Sequence, residues 1–283
     1  MTFYQDDGLR LEGDLFLPGG PVRGALAVVP GFRGTRRSAS APALAERLAA
    51  DLGWAVLLFD FSGFGGSEGI RGRFDPETQV VEIRAAVAYL RVTWPDTPVS
   101  LYGNSFGAAM ATSAAAREPA IAALFALCAF SDGARLMADQ RQHWQHVEFQ
   151  EALVRDRLER VVAGRSRTVE PDWIMVRDPE AAAYIKAMGG AADRSQMDVA
   201  AAERLAAFRP LTDAPRLLGR PTLFVHCELD HFIPAWHSKA LAAAAGGRVL
   251  ILRGYGHYAI YDGEPREVLF RNAVEFYRLA VPT

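Results

Sequence analysis

Three widely separated segments carry the residue types of nucleophilic catalysis. Gly103-Asn104-Ser105-Phe106-Gly107 fits the pattern G-x-S-x-G; it follows an apolar run at 99–102 and precedes an alanine-rich helical stretch. The pattern needs that context, because a sharp strand-to-helix turn lifts the serine hydroxyl clear of the sheet edge while flanking glycines relieve crowding. A free serine hydroxyl is a poor nucleophile, so a base must lie within reach and an acid must orient the base. Downstream, Asp230 stands in Cys227-Glu228-Leu229-Asp230-His231-Phe232-Ile233-Pro234, and His257 in Gly254-Tyr255-Gly256-His257-Tyr258. Each lies just past a predicted strand, and the order serine, acid, histidine is the one that accompanies this turn. The three make a relay for acyl chemistry. Asp132, after a predicted strand at 121–128, is the alternative acid; the D-x-x-I-P frame of Asp230 and its nearness in order to His257 favour Asp230. Glu228 points toward its strand end and is expected to be structural.

The elements that must position these groups alternate between two periodicities. Residues 9–17 alternate apolar and polar after Asp7-Gly8, as a half-exposed antiparallel strand does. Buried strands are predicted at 25–29, 54–61, 99–102, 121–128, 222–227 and 248–252. Helices are predicted over 42–52, closed by Gly53, from Asp75-Pro76 to about 91, and over 105–117, 235–245 and 264–279. Repeated βα units imply an α/β fold with a mostly parallel sheet and helices on both faces. Between 131 and 209 the sequence is helical, rich in Arg and Glu, and holds no convincing strand. It is expected to be a helical cap or lid over the carboxyl ends of the strands, where ligand sites of open sheets gather. The core is thus expected at 1–130 and 210–283, with the insertion at 131–209.

With these segments the chain resembles the α/β-hydrolase family over essentially its whole length. Pro30-Gly31-Phe32-Arg33-Gly34 is similar to the family's oxyanion loop, with Pro30 where His is common. Asp60-Phe61-Ser62-Gly63-Phe64-Gly65-Gly66-Ser67-Glu68-Gly69 is similar to its D-x-R-G-x-G-x-S-x-G stretch, with Ser62 in place of Arg. The subgroup it most looks like is the cinnamoyl/feruloyl-esterase-like serine hydrolases and their acyl-handling relatives. The resemblance implies a cofactor-free hydrolase of an ester or thioester, with acyl transfer as the alternative reaction and a silent ligand-binding protein as a third. It assigns Ser105 as nucleophile, His257 as base and Asp230 as its orienting acid, with the Phe32 and Phe106 backbone N–H groups as oxyanion donors.

Composition narrows the partners. The 283 residues carry 31 basic and 33 acidic side chains, net −2, which lacks the electrostatic footprint of a dedicated nucleic-acid or anionic-membrane binder. A small, largely apolar acyl substrate, free or carrier-bound, is the expected partner, with no nucleic acid, no membrane and the oligomeric state open. No G-x-x-x-x-G-K-[ST] occurs, so no nucleotide cofactor is expected. His143-Trp144-Gln145-His146 places two histidines on one helical face but lacks a third ligand, so no metal is expected. Arg33, His143, Trp144 and His231 are candidate pocket residues, and Phe149, Trp173 and Tyr184 are further aromatics able to wall it. His226 is expected to be a satisfied core histidine, and Arg135, Arg141, Arg155, Arg157 and Arg160 a solvated helical face. Cys128 and Cys227 end two strands and are expected to be buried thiols. The N-terminus has no secretory pattern and no run approaches about 18 apolar residues, which makes a cytoplasmic location the expectation.

Overall fold

The apolar runs form the centre of an eight-stranded sheet in the computed structural model, which describes residues 1–38, 40–187 and 195–282. The strands before residue 131 are β1 (Thr2–Tyr4), β2 (Arg10–Phe16), β3 (Gly24–Val29), β4 (Trp54–Phe59), β5 (Val99–Asn104) and β6 (Ile121–Leu127). Two short strands, β7 (Thr168–Val169) and β8 (Met197–Asp198), pair only with each other, and β9 (Thr222–Cys227) and β10 (Arg248–Leu252) return to the main sheet. The spatial order is β1-β2-β4-β3-β5-β6-β9-β10. β1–β2 and β2–β4 are antiparallel, and every pair from β4 to β10 is parallel.

Period-2 alternation divides the core. In β3, Ala25, Ala27 and Val29 face one apolar layer while Leu26 and Val28 face the other. The first layer is closed by α2 (Pro76–Thr93) and α3 (Phe106–Arg117); the second takes α1 (Ala41–Leu52). The middle strands are therefore continuous apolar runs, whereas β2, at the antiparallel side, is only half buried. Asp75 caps α2 by accepting from Glu77 N–H at 3.2 Å, with Pro76 at the first helical position. The predicted strand at 54–61 stops at Phe59, because the Asp60 carboxylate turns back to accept from Arg36 N–H at 2.7 Å and Gly66 N–H at 2.9 Å. The Arg36 guanidinium ties Asp60 to Asp14 and Glu12, so the 30–38 loop is braced against the sheet.

The stretch 131–209 holds α4 (Gly133–Asp139), α5 (His143–Ala163), α6 (Pro171–Ile174), α7 (Pro179–Ala187) and α8 (Ala200–Ala207). The β7–β8 ribbon corrects the expectation of a strandless insert; two residues a side are too short to show a period. The insert begins and ends at one place, since Gly133 N–H donates to Phe208 O at 3.0 Å and Leu211 N–H donates to Ser131 O at 3.0 Å. A Cβ on Gly133 would overlap the Leu205 carbonyl oxygen, so glycine lets the two ends touch. After α9 (Pro210–Asp213) the chain completes the core with α10 (Trp236–Ala245) on the α2–α3 layer and α11 (Gly263–Ala280) beside α1. Among the described residues no helix is long and apolar enough to cross a membrane. Cys128 and Cys227 are buried free thiols at the ends of adjacent strands.

Candidate active site

β5 delivers the chain to Ser105, which turns at φ 55°, ψ −120° before α3 begins at Phe106. That left-handed conformation is costly for a residue with a Cβ, on the order of 1–3 kcal/mol, and persists only where the surroundings impose it. Here they do. A Cβ on Gly103 would overlap the Ala108 Cα, and one on Gly107 would overlap the Pro30 carbonyl oxygen, so the glycines of G-x-S-x-G let helix, strand and loop close on the turn. Ser105 N–H donates to Leu127 O at 2.7 Å, pinning the turn to β6.

β5, β9 and β10 are parallel, so the residues that follow them emerge at the same sheet edge. The Ser105 hydroxyl lies 3.0 Å from His257 Nε2, and His257 Nδ1 lies 2.6 Å from Asp230 Oδ2. All three side chains are buried. The carboxylate accepts from Nδ1–H, which leaves Nε2 as the acceptor for the serine proton. The other carboxylate oxygen, Oδ1, accepts from Phe232 N–H at 3.0 Å and Ile233 N–H at 2.7 Å. The D-x-x-I-P frame is therefore a local turn that fixes the acid. Burial alone pushes the Asp230 carboxyl up, but His257, His226 and their hydrogen bonds outweigh it and hold the group well below the usual carboxylate range.

Two backbone donors flank the serine. The Phe106 N–H opens α3, where the first N–H groups of a helix have no partner within it. Neither it nor the Phe32 N–H donates to another group among the described residues. The loop carrying Phe32 is close: a Cβ on Gly31 would sit 3.8 Å from Ser105 Oγ. The Phe32 ring packs on Phe106 at 4.9 Å and on Phe74 at 5.1 Å between centroids.

Ser105 and His257 open into a cavity of about 560 Å³. The core supplies Phe32, Asn104, Phe232, Tyr258 and Tyr261 to its lining, and the insert supplies Pro171, Met175, Ala182 and Tyr184. Charged groups also line it: Arg33, Glu170, Lys186, and the pair Asp172–Arg177 at 2.6 Å.

Of the residues expected from the sequence, Ser105, Asp230, His257, Phe32, Phe106 and Arg33 are gathered here. Others are not. His143 and Trp144 are exposed at the start of α5, where the Trp144 indole N–H donates to Gln142 Oε1 at 2.9 Å, and neither lines the cavity. α5 turns Phe149, Leu153 and Asp156 inward, which directs positions 143 and 144 outward. His231 is exposed beside the acid and does not line the cavity either. Asp132, the alternative acid, caps α4 by accepting from Arg135 N–H at 3.0 Å and pairs with Arg209 at 3.4 Å, away from the relay. Phe149 and Trp173 pack on each other at 4.8 Å inside the insert, and of the proposed aromatic walls only Tyr184 reaches the cavity. Arg141 is no solvated cation: it donates to the Met137, Trp173 and Ile174 carbonyl oxygens and stacks on Phe149, and burial lowers its pKa to about 10. Tyr258 and Tyr261 join the lining from the stretch after His257, and the aromatics flanking that histidine in sequence are the visible signal for them.

Residues 20–263 match the family described as serine aminopeptidase, S33. The quorum-quenching protein AidA of Acinetobacter baumannii (strain MDR-ZJ06) is 27% identical over 291 residues, covering 99% of this chain and 94% of its own. The structure of DcsB in complex with its substrate analogue is similar at a TM-score of 0.84 and 21% identity, with 99% of each chain covered. Est1E of Butyrivibrio proteoclasticus with bound ferulic acid is similar at a TM-score of 0.71 and 20% identity, with 100% of each covered. At those identities the solved structures speak for the α/β-hydrolase fold. Fold and family agree over the same residues, and the chain belongs to the serine aminopeptidase S33 family of α/β hydrolases.

Proposed function

We propose that the protein is a serine hydrolase that cleaves a carboxylic ester or thioester of a small molecule through an acyl-enzyme on Ser105. The observation that carries the reading is the buried relay, 3.0 Å from Ser105 Oγ to His257 Nε2 and 2.6 Å from Nδ1 to Asp230, opening on a cavity large enough for a small ligand. His257 takes the serine proton as Oγ attacks the acyl carbon. The Phe32 and Phe106 N–H groups hold the oxyanion, and Asp230 stabilises the imidazolium. The same proton then goes to the departing alcohol or thiol. Water, deprotonated by His257, releases the acid and restores the serine. The insert at 131–209 acts as a cap, since its Pro171, Met175, Ala182 and Tyr184 form the wall facing the nucleophile. The insert's apolar contribution suits an acyl chain or aromatic ring, and a cytoplasmic location suits the buried free thiols of Cys128 and Cys227 in the core.

The test is a panel of nitrophenyl esters and acyl thioesters of graded length. Aminoacyl amides are included because of the family's description, and quorum signals because the Acinetobacter relative is described as quorum-quenching. A fluorophosphonate probe should label wild-type protein at Ser105 and leave Ser105→Ala unlabelled. Absence of both labelling and turnover by folded protein refutes the reading. An added alcohol that captures most of the acyl group, at the expense of free acid, identifies a transferase on the same relay.

A further inference from the structure

We infer that Glu180, a residue of the insert, is a positioning residue for His257, so that the reaction centre is complete only with α7 seated on the histidine loop. The inference rests on the relay proposed above. His257 lies between the end of β10 at Leu252 and a short 3-10 turn at Ala259–Tyr261, in a loop with no ladder of its own. Backbone N–H groups there must find partners elsewhere. The front of the loop is held by the acid side of the core: Gly254 N–H donates to Glu228 Oε2 at 3.0 Å, and Leu229 N–H donates to Tyr255 O at 2.9 Å. The back is held by the insert. Tyr258 N–H and Ala259 N–H, the two donors directly after His257, both donate to Glu180 Oε1 at 3.0 Å.

Two further features are built around that contact. A Cβ at Gly256 would collide with Glu180 Oε2, so the glycine before His257 is what lets the carboxylate lie over the loop. One turn further along α7, Tyr184 packs on Tyr258 at 4.7 Å and on Tyr261 at 5.8 Å, and Tyr261 donates its hydroxyl proton to Asn104 Oδ1 at 2.6 Å, next to Ser105. Asp178 Oδ1 accepts from Ala181 N–H at 2.7 Å, which fixes the start of α7 and with it the reach of Glu180. A single helix thus lines the cavity with Ala182 and Tyr184 and clamps the backbone on the far side of the base. Displacing α7 by an ångström would carry Nε2 off the serine hydroxyl, and misplacement on that scale costs about 10²-fold in rate.

The experiment compares wild type, Glu180→Ala, Glu180→Gln and Glu180→Asp. It reads the second-order rate of fluorophosphonate labelling at Ser105, kcat and KM on a short nitrophenyl ester, and melting temperature. Glu180→Ala should slow labelling and kcat by about 10–100-fold with KM within about 2-fold. Glu180→Gln keeps a carbonyl oxygen for the two N–H groups and should recover to within about 3-fold of wild type. Glu180→Asp, one methylene short, should remain slow while folded, and it carries the test if Glu180→Ala fails to fold. Equal labelling rates in wild type, Glu180→Ala and Glu180→Asp overturn the positioning role and leave the relay standing. A wild-type protein that does not label at Ser105 overturns the relay itself, and the role of Glu180 with it.

Discussion

His226 Nε2 lies 3.4 Å from Asp230 Oδ2, the same carboxylate oxygen that meets His257 Nδ1. One buried acid is thus flanked by two imidazoles, one facing the serine and one facing the core. His226 commits Nε2–H chiefly to the Ile233 carbonyl oxygen at 2.7 Å and accepts from the Ser238 hydroxyl at Nδ1, 2.6 Å away. It ties the acid turn to α10 without touching the cavity.

Removing that support should loosen the acid. His226→Leu leaves Ile233 O without its partner and Ser238 Oγ with Ala129 O alone, and should cost about 1–3 kcal/mol of stability, with kcat reduced about 10-fold and KM little changed. The Asp230 pKa is depressed in the fold, so its stabilisation is present above the unfolded value of about 3.9 and is lost as pH falls through the folded value. In His226→Leu the folded value moves toward the unfolded one, so that loss should be smaller and should end at higher pH, which acid titration of the melting temperature would reveal.

Ser105→Gly and Ser105→Ala should both be inactive, yet differ in stability. Each removes the hydroxyl, and only alanine keeps a Cβ at φ 55°. Relief of that strain, partly offset by glycine's greater chain entropy, should leave Ser105→Gly more stable by about 1 kcal/mol, or about 2–4 °C in melting temperature. Equal melting points would show that the turn is not strained.

Glu82 should make the protein less stable as pH rises. Its carboxyl is buried under Gln5 and Ser62 N–H, which donate to it at 3.0 Å each, and burial raises its pKa to about 7. A raised folded pKa means that the unfolded chain releases this proton first, so stability falls between about pH 4.3 and 7 and is level above. The loss is on the order of 4 kcal/mol at most. Glu82→Gln, with Gln5 free to turn its amide, should flatten the melting-temperature profile over that range.

Met175→Ala should shift the substrate range toward larger groups. Met175 is a buried part of the cavity wall supplied by the insert, and its removal makes room for about three methylenes. At about 0.8 kcal/mol for each newly buried methylene, kcat/KM on longer nitrophenyl esters should rise about 4-fold per carbon relative to acetyl. An unchanged chain-length profile would place the acyl group elsewhere in the cavity.

The sheet and the relay were legible because both are local signals. Parallel strands buried on two faces read as unbroken apolar runs, and Ser105, Asp230 and His257 each sit in a short frame that folds on itself. The cavity wall was not legible, because it depends on which helix faces turn inward. Nothing at His143 or Trp144 shows that Phe149 and Leu153 take the inner face of α5. Arg141 reads as one more solvated arginine until α6 closes over it. The Glu180–Tyr258 contact joins positions 78 apart, with no periodicity to announce it.

The insert leaves and re-enters the core at one stitched seam, where Gly133 meets Phe208 and Ser131 meets Leu211. The seam follows β6, between the strand that leads to Ser105 and the strand that leads to Asp230. Evolution or an engineer can therefore exchange the whole segment as a cassette without cutting either. The cassette is not self-sufficient, because its acid and the recipient's glycine form a lock and key. A donor segment lacking a carboxylate at the place of Glu180 would orphan two amides beside His257, and a recipient with a side chain at Gly256 would press the carboxylate of one that had it off the loop. In chimeras of this family, those two positions should be inherited together.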